Sequence, residues 1–200
     1  MDLHGILTII TKHLFDLNSE ELPMDCFDIM KSQGIQFSRG LSFEEIQKIE
    51  LLYGIQFPLS LKKLFSKGIP TSKNFYQWND FSEMNIQKIK VTMTIPFQYI
   101  SEYIEELEWL DERVYPNMET KIELSKKALQ KAPILIPLYG HRYMPIINSD
   151  DPPVLSVHGF DVIYYGKNLN DWAVNEFVPN TNHHYLEKYM EFVPFWSEIC

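Results

Sequence analysis

Ile134-Leu135-Ile136-Pro137-Leu138-Tyr139-Gly140 opens the stretch that decides the fold class. Arg142-Tyr143-Met144-Pro145-Ile146-Ile147, Pro153-Val154-Leu155-Ser156-Val157-His158 and Phe160-Asp161-Val162-Ile163-Tyr164-Tyr165-Gly166 follow it. Each run is short, apolar and rich in β-branched or aromatic side chains, which suit a pleated surface. Gly, Asn, Asp and Pro separate the runs, and that alternation predicts an antiparallel meander.

Everything upstream of Pro133 reads as helix or loop. Ser42-Phe43-Glu44-Glu45 has the spacing of a capping box, and Leu41 with Ile46 fits the hydrophobic staple. Ile46, Ile49 and Leu52 or Tyr53 form the inner stripe, and Gly54 ends the helix. Pro58 then opens a second helix as its first residue, with Leu61, Leu64 and Phe65 facing inward and Gly68 closing it. A helix is expected from Glu83 to about Thr94, and Pro96 is expected to start another. In that next helix Phe97, Ile100, Ile104 and Leu107 share a face while acids occupy the opposite one. Asn117 caps a further helix to Lys131, and Asn168 to Phe177 is helical again. A helix is also read over residues 1–17, from Leu3, Ile6 or Leu7, Ile10 and Leu14.

Helices first and strands afterwards give an α+β class rather than alternating βαβ units. The expected architecture is one domain over residues 1–200, with a central antiparallel sheet of about four or more strands and helices packed around it. Its simplest form places the helices on one side. The 200 residues are 45% hydrophobic and 14% aromatic, enough apolar area for a self-sufficient core and too much for a disordered chain. The formal charge of −9 argues against sequence-independent nucleic-acid binding, because phosphates would meet a repelling field. Gly5 to Ile10 is too short to span a bilayer, and no membrane association is expected. Cys26 and Cys200 form neither a CxxC nor a disulfide framework, and two free thiols in a reducing cytoplasm are expected.

The strand block resembles the SUKH superfamily. The residues that carry this are Leu135 to Pro145, Pro153 to Gly166, Asn168-Leu169-Asn170-Asp171-Trp172 and Asn175-Glu176-Phe177. The helix, turn, proline and helix from Ile46 to Phe65 are similar to the family's first motif. The resemblance covers about 41–66 and 134–177. The helical region of about 70–131 is then an insertion or a divergent segment, and Lys67-Gly68-Ile69 departs from the family's Gly-rich tripeptide. The resemblance implies a binding module: bacterial members are similar to immunity proteins that neutralise a toxin, often a nuclease, and fungal members to regulators of cell-wall glucan synthesis. It further implies structural roles for Pro58, Pro137, His141, Arg142, Tyr143, Pro145, Ser156, Asp161, Tyr164, Tyr165, Gly166 and Trp172.

Several constellations admit both a structural and a functional reading. His141-Arg142-Tyr143 would put His141 and Tyr143 on one strand face and Arg142 on the other. The three form either an electropositive contact patch or, as favoured here, packed rings with Arg142 paired to a carboxylate such as Asp161. His158 and Asp161 flank a tight turn and are read as part of that turn rather than as an acid–base pair. His183 and Glu187 have i, i+4 spacing, but no further ligand lies nearby, so no metal is expected. GxSxG, P-loop and GxGxxG spacings are absent, so neither catalysis nor a cofactor is expected. The acids Glu102, Glu105 and Glu106, extended by Glu108, Asp111 and Glu112, are either a solvated helix face or a surface that presents carboxylates where a nuclease expects phosphates. Tyr76, Trp78, Phe81, Trp109 and Tyr115 bracket them. The expected function is stoichiometric binding of a protein, a toxin domain with a basic surface. Glu102, Glu105, Glu106, Trp109, Asp111 and Glu112 are the proposed contact residues. The alternative is a regulatory role in cell-wall or envelope synthesis.

Overall fold

The structure is a computed structural model that describes residues 24–109, 115–181 and 190–200. The helix read over 1–17, Asp111, Glu112 and the His183/Glu187 pair lie outside the described residues.

Leu135–Tyr139 (β3), Arg142–Pro145 (β4), Val154–His158 (β5) and Asp161–Gly166 (β6) form an antiparallel sheet in sequence order, the expected meander. Leu135 lies opposite Pro145, Arg142 opposite Ser156, and His158 opposite Asp161. Pro137 is accommodated because β3 is an edge strand, where a missing N–H breaks no ladder on its outer side. A register shift follows between Pro137 and Tyr139, and Phe75 bridges Tyr139 from outside. Phe37–Arg39 (β1) and Gly68–Pro70 (β2) pair as a separate two-stranded ribbon, which the sequence reading did not distinguish.

Six α-helices are found among the described residues: Cys26–Ser32 (α1), Phe43–Tyr53 (α2), Leu59–Lys67 (α3), Glu83–Glu102 (α4), Met118–Leu129 (α5) and Leu169–Phe177 (α6). The capping box of α2 is complete. Ser42 accepts from the Glu45 amide, and the Glu45 carboxylate accepts from the Ser42 amide at 2.8 Å. Arg39 adds a two-pronged contact to Glu45, whose carboxyl is held down at about 2 by that guanidinium and by the Ser42 amide. Gly54 ends α2 in the left-handed conformation, as expected. We expect Ser42→Ala to lower unfolding free energy by about 1 kcal/mol, measured by urea titration; an unchanged midpoint would show that the Glu45 half of the box suffices.

Two helix boundaries differ from expectation. Pro58 is the N-cap of α3 rather than its first residue. Pro96 does not start a helix but lies inside α4. An internal proline costs about 3 kcal/mol because it removes an amide donor and crowds the preceding turn. Ile89, Pro96 and Ile100 nevertheless recur on one face, and all three are buried. Breaking the helix at Pro96 would split that stripe, so tertiary burial overrides the local signal. The acidic helix expected over 96–112 also stops early. α4 ends at Glu102 and a 3₁₀ turn, Ile104–Glu106, folds the chain back. Residues i and i+3 share a side in a 3₁₀ turn as well, so Ile104 and Leu107 are still buried together.

The sheet is covered on both faces, not on one. Ile136, Leu138, Met144 and Val154 join a core with α1, α2, α3, α6 and Trp78. Leu135, Tyr143, Leu155, Val157, Val162 and Tyr164 face the opposite way, onto Ile100, Ile104, Leu107, Leu129, Val193, Phe195 and Trp196. Double coverage explains why the strands read as near-continuous apolar runs. The C-terminal residues are anchored by hydrogen bonds: Trp196 Nε1 donates to the Pro133 carbonyl at 3.0 Å, and Val193 N to Ser197 Oγ at 2.7 Å. No disulfide joins Cys26 and Cys200. Among the described residues, no helix is long and apolar enough to cross a membrane.

Candidate functional site

Arg142, Ser156, Tyr165 and Gly166 meet α6 on the β4–β5–β6 surface. Arg142 Nε donates to Glu176 at 2.9 Å, and its Nη1 donates to Ser156 Oγ at 2.7 Å. The guanidinium also lies 3.6 Å over the centre of the Tyr165 ring. Arg142 and Glu176 side chains are only 13% and 15% exposed. The Arg142–Asp161 pair expected from sequence is therefore replaced by Arg142–Glu176. Asp161 is exposed and sits at the hairpin end, across from His158. Strand register explains the difference. Arg142 lies opposite Ser156 in the middle of β5, while Asp161 starts β6 at its far end. Asn175 Nδ2 donates to the Tyr165 carbonyl at 2.8 Å and fixes α6 over this cluster. Gly166 permits the same approach, since a Cβ there would fall 2.6 Å from the Trp172 amide.

Tyr143 and Tyr164 lie on the other face of the sheet. Both are buried, as are Pro137 and Pro145. Burial pushes the Tyr143 phenol well above its ordinary pKa. Tyr164 Oη donates to the Glu191 carbonyl and pairs closely with Ser197. His141 is not a strand residue; it sits in the turn after Gly140, its ring 5.9 Å from that of His158. Desolvation, with Arg142 and His158 nearby, lowers its pKa. Ser156 Oγ is engaged by Arg142, and among the described residues it forms no pair with a histidine.

A second feature lies at the end of α4. Glu102, Glu105, Glu106 and Glu108 are exposed there, and none forms an ion pair with another described residue. The rings of Tyr99 and Tyr103 meet at 4.9 Å, and Tyr99 meets Phe160 edge-on at 5.3 Å. Tyr99 rests on the β5–β6 turn, where a Cβ at Gly159 would touch it at 3.1 Å. A groove of 390 Å³ runs between Glu106, Glu108, Trp109, Phe160 and Ile199. Trp109 is less available than expected. Its Nε1 donates to Ser125 Oγ at 3.2 Å and its ring packs on Phe195 at 5.6 Å. Trp78 is fully in the core, while Tyr76 is half-buried and donates to the Gly140 carbonyl at 2.7 Å.

A polar cleft of 370 Å³ is lined by Asp25, Cys26, Ser60, Lys63, Asp150 and Asp151 among others. Two of its carboxylates serve local structure: Asp25 caps α1 and pairs with Lys67, and Asp151 accepts from the Leu169 amide at the start of α6. Burial raises the Cys26 thiol pKa and so disfavours the reactive thiolate. Among the described residues no group of His, Cys, Asp and Glu is placed to hold a metal ion.

Compared with protein-family models, with curated proteins and with solved structures, the chain matches none. The sequence reading missed Glu176 as the partner of Arg142, although Asn175-Glu176-Phe177 stood among the residues carrying the resemblance. It also missed Tyr99, Tyr103 and Phe160, whose signal was their helical or turn spacing beside the acids.

Proposed function

We propose that this protein is a non-catalytic binding module that neutralises a bacterial toxin domain by covering a basic surface on it, one to one and in the cytoplasm. The observation that carries this reading is the group of exposed acids at the end of α4, gathered beside the Tyr99–Tyr103–Phe160 rings and free of ion pairs among the described residues. Carboxylates in such an array attract a cationic surface at long range and raise the association rate. The neighbouring rings supply the rigid apolar contact that slows dissociation. The SUKH-like pattern supports the same class of function, and the −9 charge supports a basic protein partner rather than nucleic acid.

The test is affinity capture from the source strain with the full chain, followed by the Glu105→Lys, Glu106→Lys and Glu108→Lys triple variant. A single basic protein should co-purify at one-to-one, and the triple variant should bind it at least about tenfold more weakly, chiefly through a slower on-rate. Capture unaffected by the three reversals sinks the acidic-surface assignment. Capture of several envelope-synthesis proteins instead would replace the toxin reading with the regulatory one.

A further inference from the structure

Helix α4 carries two stripes. The inner one, Ile89, Pro96 and Ile100, is buried. The outer one is Met84, Lys88, Val91, Ile95, Gln98 and Glu102, and all six residues are exposed. Their spacing alternates 4, 3, 4, 3, 4, the repeat that keeps one seam of a helix facing a second helix. Single apolar residues on a surface need no explanation. Here, however, Val91 at 54% exposure and Ile95 at 49% are successive members of one seam, with Met84 further along it and Tyr99, at 39%, on its flank.

We infer that this seam pairs α4 antiparallel with α4 of a second copy of the same chain, about a twofold axis passing between Val91 and Ile95. The seam is self-complementary in the way a twofold interface requires. Val91 of each copy faces Ile95 of the other, so four β-branched side chains form the centre. Lys88 lies on the N-terminal side of the axis and Glu102 on the C-terminal side. Antiparallel pairing brings each Lys88 to the height of Gln98 of the second copy, one turn from its Glu102 and within reach of a four-carbon stem. A parallel arrangement would stack like charges instead. The ends also match in shape. Beside Gln98 and Glu102 a groove of 560 Å³ opens between α4 and α5, with Phe97 and Leu129 in its walls. In the antiparallel pair Met84 of the second copy arrives at the height of Glu102, next to that groove. A flexible thioether is well suited to filling an irregular apolar gap. The inference needs no toxin, so it stands or falls separately from the proposed function.

The test is sedimentation equilibrium of the full chain across the micromolar range, at moderate salt so that the −9 charge of each copy is screened. The unaltered protein should show a reversible monomer–dimer equilibrium. Ile95→Asp should weaken it at least about tenfold, a change equivalent to about 1.4 kcal/mol. Lys88→Glu and Glu102→Lys should each weaken it, and the double exchange should restore it, since both charge pairs are then re-formed with inverted sign. Because these side chains are exposed, thermal unfolding of each variant, measured at a concentration where the parent is monomeric, should match the parent and so exclude misfolding. A monomer at every concentration overturns the inference and leaves the seam to another occupant. A dimer indifferent to Ile95→Asp, or a double exchange no better than the single ones, overturns it too.

Discussion

Glu176→Ala is expected to destabilise the protein by about 3 kcal/mol, because it strands the Arg142 guanidinium against the sheet. The pair is largely desolvated, and among the described residues Glu176 is the one carboxylate paired with Arg142, since Asp161 lies two strands away at the hairpin end of β6. Arg142→Ala should cost somewhat more, about 4 kcal/mol. It strands Glu176, leaves the buried Ser156 hydroxyl without its donor and uncovers the Tyr165 ring. For a chain of this size about 3 kcal/mol corresponds to a fall of roughly 6–12 °C in melting temperature. Replacing both partners at once, as in Arg142→Met with Glu176→Leu, should recover much of the loss, because no unpaired charge then remains. Urea titrations of the two single variants and the double variant measure all three. Losses below about 1 kcal/mol for both single variants would mean that water solvates the pair and that it does not hold α6 to the sheet.

Trp78→Ala is expected to cost about 4 kcal/mol, in the range for emptying a buried aromatic site. Trp78 is 2% exposed and is met edge-on by Phe57 at 5.1 Å and by Tyr53 at 5.2 Å, with Phe65 tilted at 6.3 Å. It therefore ties α2, α3 and the turn between them to the loop that precedes α4. Besides the lost transfer free energy, truncation removes these ring–ring contacts, and the surrounding helices can collapse only partly into the space. Trp78→Phe should restore about half of the loss. The measurement is again equilibrium unfolding; a cost below about 1.5 kcal/mol would show that the four-ring cluster repacks easily.

These two sites differ in how visible they were in the sequence. Arg142 stood out, and its pairing with a carboxylate was expected, but the partner was misassigned. Asp161 was expected because it opens a nearby strand of the same meander, whereas register places Ser156 opposite Arg142, and the docking of α6 then supplies Glu176. Trp78 had no periodic signal at all, because it lies in the irregular stretch 75–81, and its burial is imposed from outside by Tyr53, Phe57 and Phe65. The acidic residues were correctly expected at the surface for Glu102, Glu105 and Glu106. Their placement on one long helix was not, since the fold-back at Ile104–Glu106 depends on burying Ile104 and Leu107.

The sequence by itself determined what depends on neighbouring residues. The Ser42–Glu45 capping box, the Gly54 stop, the Asn117 and Asn168 caps and the four-strand meander all follow from local hydrogen bonding, turn chemistry and side-chain period, which act over a few residues. The tertiary structure decided whatever depends on a partner far along the chain. It carried α4 through Pro96 because one continuous buried stripe outweighs a missing amide. It covered both sheet faces because Leu135 and Ile136, adjacent in sequence, point to opposite cores. It also gathered Tyr99, Tyr103 and Phe160 beside the acids, because packing of the β5–β6 turn on α4, rather than any motif, brings those rings together.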